Sequence, residues 1–402
     1  MKSESRSNSS CAWCTVAVSA QIPLLSFALT LCLFTARSSQ AQTESILFST
    51  PMWEHPAGSV IMDSRGNLYG TTTSSGVSNR GTVFKLTPPE QFGGNWTART
   101  LHIFRGLPDG EYPSGNLVMD SEGNLYGTAG GGSQGGGVIF EITAAGKEKI
   151  LYNFKLNKID ASGPSGLLRD SQGNFYGTAG GGPTNNGTVY ELTAAGEEKV
   201  LYSFTGFPDG YTPEGPLVMD TLGNLYGTTF KGGPKFAGTV FQVTPAGVET
   251  ILHAFEANST DGQYPYAGLA MDSQGNLYGT TGYGGATGFG TVFEITAEGV
   301  EKILYSFKGG SKDGQLPEAS LILDSLGNLY GTTAYDANLI GPFGTVFELT
   351  PTGKEIIFHK FTGDPDGFNP MAGLFMDSQS NLYGTTYGGG ANEGGTVFEA
   401  IP

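Results

Sequence analysis

The chain has 402 residues, among them 64 glycines, and its 37 acidic side chains outnumber 21 basic ones for a net charge of −16. That surplus excludes nucleic acid and anionic membrane as expected partners, since both repel an acidic surface. Cys11, Cys14 and Cys32 are its three cysteines and all precede residue 42, so disulfides and thiolate metal sites are excluded from everything that follows.

In chain order, Lys2 and Arg6 give a basic start and Ile22 to Phe34 an apolar run. Ser39 and Ala41 then offer small residues at the minus-three and minus-one positions of a cleavage site. This pattern predicts a secretory signal peptide over residues 1–41, cut after Ala41. The apolar run, about thirteen residues, is short of the roughly twenty that span a bilayer. Residues 42–402 are then expected as one exported domain, secreted or periplasmic, carrying 18 basic and 36 acidic residues. Export without cysteine fits a bacterial envelope protein.

The exported part repeats. Asn67-Leu68-Tyr69-Gly70-Thr71 returns at Asn124, Asn174 (with Phe175), Asn224, Asn276, Asn328 and Asn381, and its tyrosines are spaced 57, 50, 50, 52, 52 and 53 residues apart. Two phrases travel with it, Gly81-Thr82-Val83-Phe84 and Leu201-Tyr202-Ser203-Phe204 with their copies. Each is aromatic and β-branched and bounded by Gly, Pro, Asp or Asn, which reads as strand, and helical periodicity is absent. In the second unit four strands are predicted, over 115–120, 124–129, 137–143 and 148–154. Four hairpin-connected strands in about fifty residues, seven times over, predict an all-β, seven-bladed β-propeller. After the seventh third-strand, Gly395 to Ala400, no fourth follows, but Ser45-Ile46-Leu47-Phe48-Ser49 resembles the fourth-strand phrase. The N-terminal strand is expected to complete the last blade and close the ring, removing the two open sheet edges that would otherwise invite aggregation.

The Asp-x-x-Gly-Asn elements beginning at Asp63 and its six counterparts read as tight turns, with Gly supplying a positive φ. Ser380 stands at the Gly position of the seventh. The mid-strand glycine of Asn-Leu-Tyr-Gly-Thr reads as a packing device.

Together these phrases, with Asp-Gly-x-x-Pro, resemble the GloVer tandem repeat of bacterial extracytoplasmic proteins, the "choice-of-anchor" GloVer-containing group, over residues 45–400. The opening of each unit also resembles NHL-type blades. The resemblance implies an exported repeat protein and names no reaction.

Candidate ligand residues fall on the face carrying the four-to-one and two-to-three loops. Asp109, Asp209, Asp261, Asp313 and Asp366 open Asp-Gly steps in the four-to-one loops, with Tyr112, Tyr211, Tyr264 and Phe368 close behind. The Gly-rich two-to-three loops add Tyr283, Tyr335 and Tyr387. Carboxylates and aromatic faces on one rim suit a glycan or a surface protein as partner. The competing reading makes each Asp-Gly a turn. His102, His253 and His359 sit in fourth strands of different blades, too far apart to converge on a channel; no metal site or cofactor is expected, and no nucleophile–base pair is visible. The expectation is a monomeric binding or scaffold module. A polysaccharide hydrolase or lyase using top-face carboxylates is the alternative.

Overall fold

The computed structural model describes residues 43–402 except 52–53, 57, 77, 92, 114, 257, 259, 311–312 and 335–342. The signal-peptide expectation and Tyr335 lie outside the described residues. Seven four-stranded antiparallel sheets form the ring of a seven-bladed propeller. Blade I runs from the inner strand Ile61–Met62 through Leu68–Thr72 and Thr82–Thr87 to the outer strand Thr97–Ile103. Blades II to VI repeat that order, and blade VII is Phe375–Met376, Leu382–Thr386, Thr396–Ile401 and then Thr43–Ser49. The N-terminal strand pairs antiparallel with the last one, Glu44 opposite Ala400 and Phe48 opposite Val397, so the ring closes as expected. Among the described residues no helix is long and apolar enough to cross a membrane.

The repeated phrases build the joints between blades. Second and third strands are buried on both sides, and seven apolar clusters each join two neighbouring blades. At six joints the fourth-strand Phe of one blade meets the third-strand aromatic of the next edge-to-face, as with Phe204 and Phe241 at 5.0 Å. The mid-strand glycine makes room for that third-strand ring. A Cβ on Gly227 would lie 2.7 Å from Cζ of Phe241, its cross-strand partner. The crowding comes from within the blade, not from the neighbouring sheet. The glycine that opens the third strand seats the next blade's crossover proline: a Cβ on Gly187 would lie 2.2 Å from Cδ of Pro213.

The Asp-x-x-Gly-Asn elements are turns. Asp63 accepts the amides of Arg65 and Asn67, the Asn67 side chain and the Tyr69 hydroxyl, and the other six copies do the same. Burial by itself would raise the Asp63 carboxyl, but these hydrogen bonds outweigh it and hold it below its ordinary value. Ser380 takes the left-handed conformation, φ 69°, that glycine takes elsewhere.

Candidate functional site

The crossover into each inner strand follows a proline, Pro56, Pro113, Pro164, Pro213, Pro265, Pro317 and Pro370 in blades I to VII. Residues just after these prolines, drawn from every blade, line one cavity of ≈ 370 Å³. A cavity to which all seven blades contribute the same short step lies on the ring axis, at the mouth of the four-to-one face. Its backbone is fixed by threonines of the preceding blade. Thr178 Oγ1 donates to the carbonyl of Gly215, Thr228 to Ala267, Thr280 to Ala319, and Thr385 to Gly58 across the closure.

The side chain right after the proline is where the copies part. It is Ser165 in blade III and Met371 in blade VII, but Glu214, Tyr266 and Glu318 in blades IV, V and VI. Two carboxyl groups thus flank a phenol on a wall otherwise made of Gly, Ala, Ser, Asn, Pro and Met371. Burial pushes Glu318 up to about 7, and the nearby Glu214 adds to the effect. Partial burial also raises Glu214, which stands more in solvent, while Lys231 opposes the rise. Tyr266 is pushed up to about 12 by burial, with Glu318 next. Beside it stands an aromatic group: Phe230 lies 4.3 Å from Tyr266 and 5.2 Å from Tyr264, whose ring meets Tyr283 edge-on at 6.0 Å. Lys231 covers Phe230 at 5.1 Å. The mouth therefore offers hydrogen-bond acceptors, one shareable proton and a flat apolar wall.

Of the residues expected from sequence, Tyr264 and Tyr283 adjoin this mouth through Tyr266. Backbone pairing between four-to-one and two-to-three loops sets Tyr211 opposite Lys231, Tyr283 opposite Gln263 and Phe368 opposite Gly388. Such pairing stitches down loops whose glycines suggested freedom. Tyr112 is exposed on the rim, and Tyr387 stacks on His55 at 4.4 Å.

The Asp-Gly aspartates do not reach the mouth. Each turns back into the joint between two blades, where it accepts the backbone amide four or five residues earlier and a donor from the preceding fourth strand. Asp109, Asp261 and Asp366 meet His102, His253 and His359 at 3.1, 3.3 and 3.1 Å. Asp209 and Asp313 accept from Tyr202 and Tyr305, and Asp160 of the third unit, which has no Asp-Gly, accepts from Tyr152. Across each joint stands a glutamate at the start of the next fourth strand, Glu148, Glu198, Glu249, Glu301, Glu355 and, from the N-terminal strand, Glu44. At the three His joints the imidazole and both carboxyl groups bring donor atoms within 4.8 Å of one another, close enough to hold a metal ion. Sequence reasoning kept the histidines apart and missed these local partners. The signal for Glu214, Tyr266 and Glu318 was also there, in the position directly after the proline, one of those where the copies disagree.

Comparison with known proteins agrees with this architecture. The virginiamycin B lyase of Staphylococcus aureus superposes with a TM-score of 0.57 at 13% identity, over 90% of this chain and 99% of its own. Two extracellular domains assigned to hybrid two-component systems of B. thetaiotaomicron give TM-scores of 0.56 and 0.54 at 11% and 15% identity. They cover 89% and 90% of this chain, which spans 39% and 41% of theirs. At such identities the likeness is one of fold. No curated protein matches the chain. The Gloeobacter/Verrucomicrobia repeat matches residues 32–177 and 129–341, and the chain belongs to that repeat family.

Proposed function

We propose that this protein is an exported, monomeric binding module whose axial mouth receives part of a glycan. The observation that carries the reading is the cluster of Glu214, Tyr266 and Glu318 on three successive blades of a ring lining otherwise made of small residues and Met371. A sugar ring would lie against Tyr266 and Phe230, with its hydroxyls donating to the two glutamates. The basic-apolar-small pattern of residues 1–41 and the acidic charge support an extracytoplasmic setting. Titration calorimetry against a panel of soluble oligosaccharides tests the reading. Tyr266→Ala should weaken binding about tenfold, Glu318→Gln should weaken it as well, and Tyr112→Ala on the rim should leave it unchanged. Affinity untouched by both mouth substitutions would remove the mouth as the site.

One observation favours a second, catalytic reading. Glu318, raised to about 7, beside the more exposed Glu214 is a pairing suited to general acid–base cleavage of a polysaccharide. Release of reducing or unsaturated ends, abolished by Glu318→Gln, would establish it. Turnover that survives Glu318→Gln would end it.

A further inference from the structure

The six joints that carry an aspartate opposite a glutamate distribute their hydrogen-bond donors unequally. Asp209 accepts the Tyr202 hydroxyl, the Thr205 amide and hydroxyl, and its neighbour Gly210 N–H. Asp261 accepts His253, the Glu256 amide and the Gly262 amide. Asp313 and Asp366 are supplied in the same way. The opposing glutamates receive almost nothing. Oε1 of Glu44, Glu249, Glu301 and Glu355 is buried without a hydrogen-bond partner, and that of Glu148 has only the His102 imidazole at 3.4 Å. Glu198 has one long bond from the Ala161 amide, 3.4 Å, and Glu355 has one on its other oxygen from Tyr305. A buried carboxylate oxygen with no donor is costly, and a carboxyl that carries its own proton removes the cost by donating to the aspartate.

We propose that each of the three joints without an imidazole, Glu198 with Asp160, Glu249 with Asp209 and Glu355 with Asp313, holds one proton between its glutamate and its aspartate, so that neighbouring blades are latched there by a carboxylic acid–carboxylate hydrogen bond that alkali opens. The orphaned oxygen recurs at Glu249 and Glu355, where the third group is a tyrosine, so the pattern does not depend on an imidazole or on a metal that an imidazole would help to hold.

The other groups facing each glutamate are few. Glu148 faces Asp109, His102 and Arg105; Glu301 faces Asp261 and His253; Glu44 faces Asp366 and His359. Glu249 faces Asp209 and Tyr202; Glu355 faces Asp313, Tyr305 and Lys308; Glu198 faces Asp160, Lys155, Tyr152 and Tyr190. Burial is the main cause that lifts Glu249, Glu355, Glu198 and Glu44 to about 7 and Glu148 to about 8, with the facing aspartate adding to it, and it raises Glu301 as well. These values lie above the ordinary 4.5, so the folded ring binds more protons than the unfolded chain. Its contribution to stability is complete below about 4.5 and is lost as pH rises through 7 to 8.

Thermal unfolding in metal-free buffer between about pH 5 and pH 9 tests the proposal. The melting temperature of the native protein should fall across that range. The triple variant Glu198→Gln, Glu249→Gln, Glu355→Gln removes the three latches and should show a shallower fall, melting above the native protein at the alkaline end. A pH slope unchanged by the three substitutions would overturn the proposal. Infrared spectroscopy of the folded native protein needs no variant. A protonated-carboxyl C=O band at about pH 6 that bleaches toward pH 9 is expected, and its absence would overturn the proposal.

Discussion

Ser380 holds a backbone conformation that the other six turns give to glycine, and the turn still forms because Asp377 binds the same amides as its counterparts. The left-handed region costs an L-residue with a Cβ about 1 kcal/mol. Ser380→Gly should therefore stabilise the protein by about that amount, read as a higher denaturant midpoint with an unchanged slope. The same scale separates what was legible in the sequence from what was not. A turn aspartate is recognisable because its partners, Asn67 and Tyr69 for Asp63, lie within six residues. Asp109 looks the same locally, but Glu148, which faces it, lies a blade further on, and only the closed ring brings the two together.

At the scale of the strand, a repeated phrase is readable because it answers the same demand seven times. Gly-Thr-Val-Phe puts Phe or Tyr over the glycine of the second strand and a glycine under the next proline. Gly227→Ala should cost about 1–3 kcal/mol, since the added methyl forces the Phe241 ring out of its packed position; chemical denaturation measures it, and a cost near zero would mean that the ring has room to move. The mouth was not legible by that logic. Its chemistry sits in one variable position per unit, with Glu214, Tyr266 and Glu318 between an invariant proline and a small residue, and a reading built on what the copies share passes over the column in which they differ. The Asp-Gly steps attracted attention for the opposite reason: they recur, and what recurs around this ring serves the joints.

For the whole molecule, closure was visible in the sequence because the N-terminal phrase 45–49 matches the strand that blade VII lacks. The strand contributes more than backbone pairing. It brings Glu44 to the joint with blade VI, and Leu47 and Phe48 to the apolar cluster with blade I. Removing residues 43–50 should leave a three-stranded edge and an aggregating protein, followed by light scattering and by loss of the cooperative melt; a truncated protein that stays monomeric with an unchanged melt would contradict this account of closure.

The joint between blades VII and I differs from the other six. Phe48 takes the place of the His or Tyr, Ala98 the place of the glutamate, and Thr50 the place of the fourth-strand Phe, as their strand registers show; Met52 stands in sequence where the aspartate would be. Trp96, from the one long three-to-four connection, packs beside this joint instead. Six joints share one arrangement, with His or Tyr as its third group, and a chain built only of these would carry no mark of where to stop adding blades. The odd joint is that mark: the outer strand that bears Phe48 fits the blade that bears Ala98, and set against any other blade it would face a glutamate. The number seven is thus written twice, once in the count of repeats and once as a lock that only the first and last of them share.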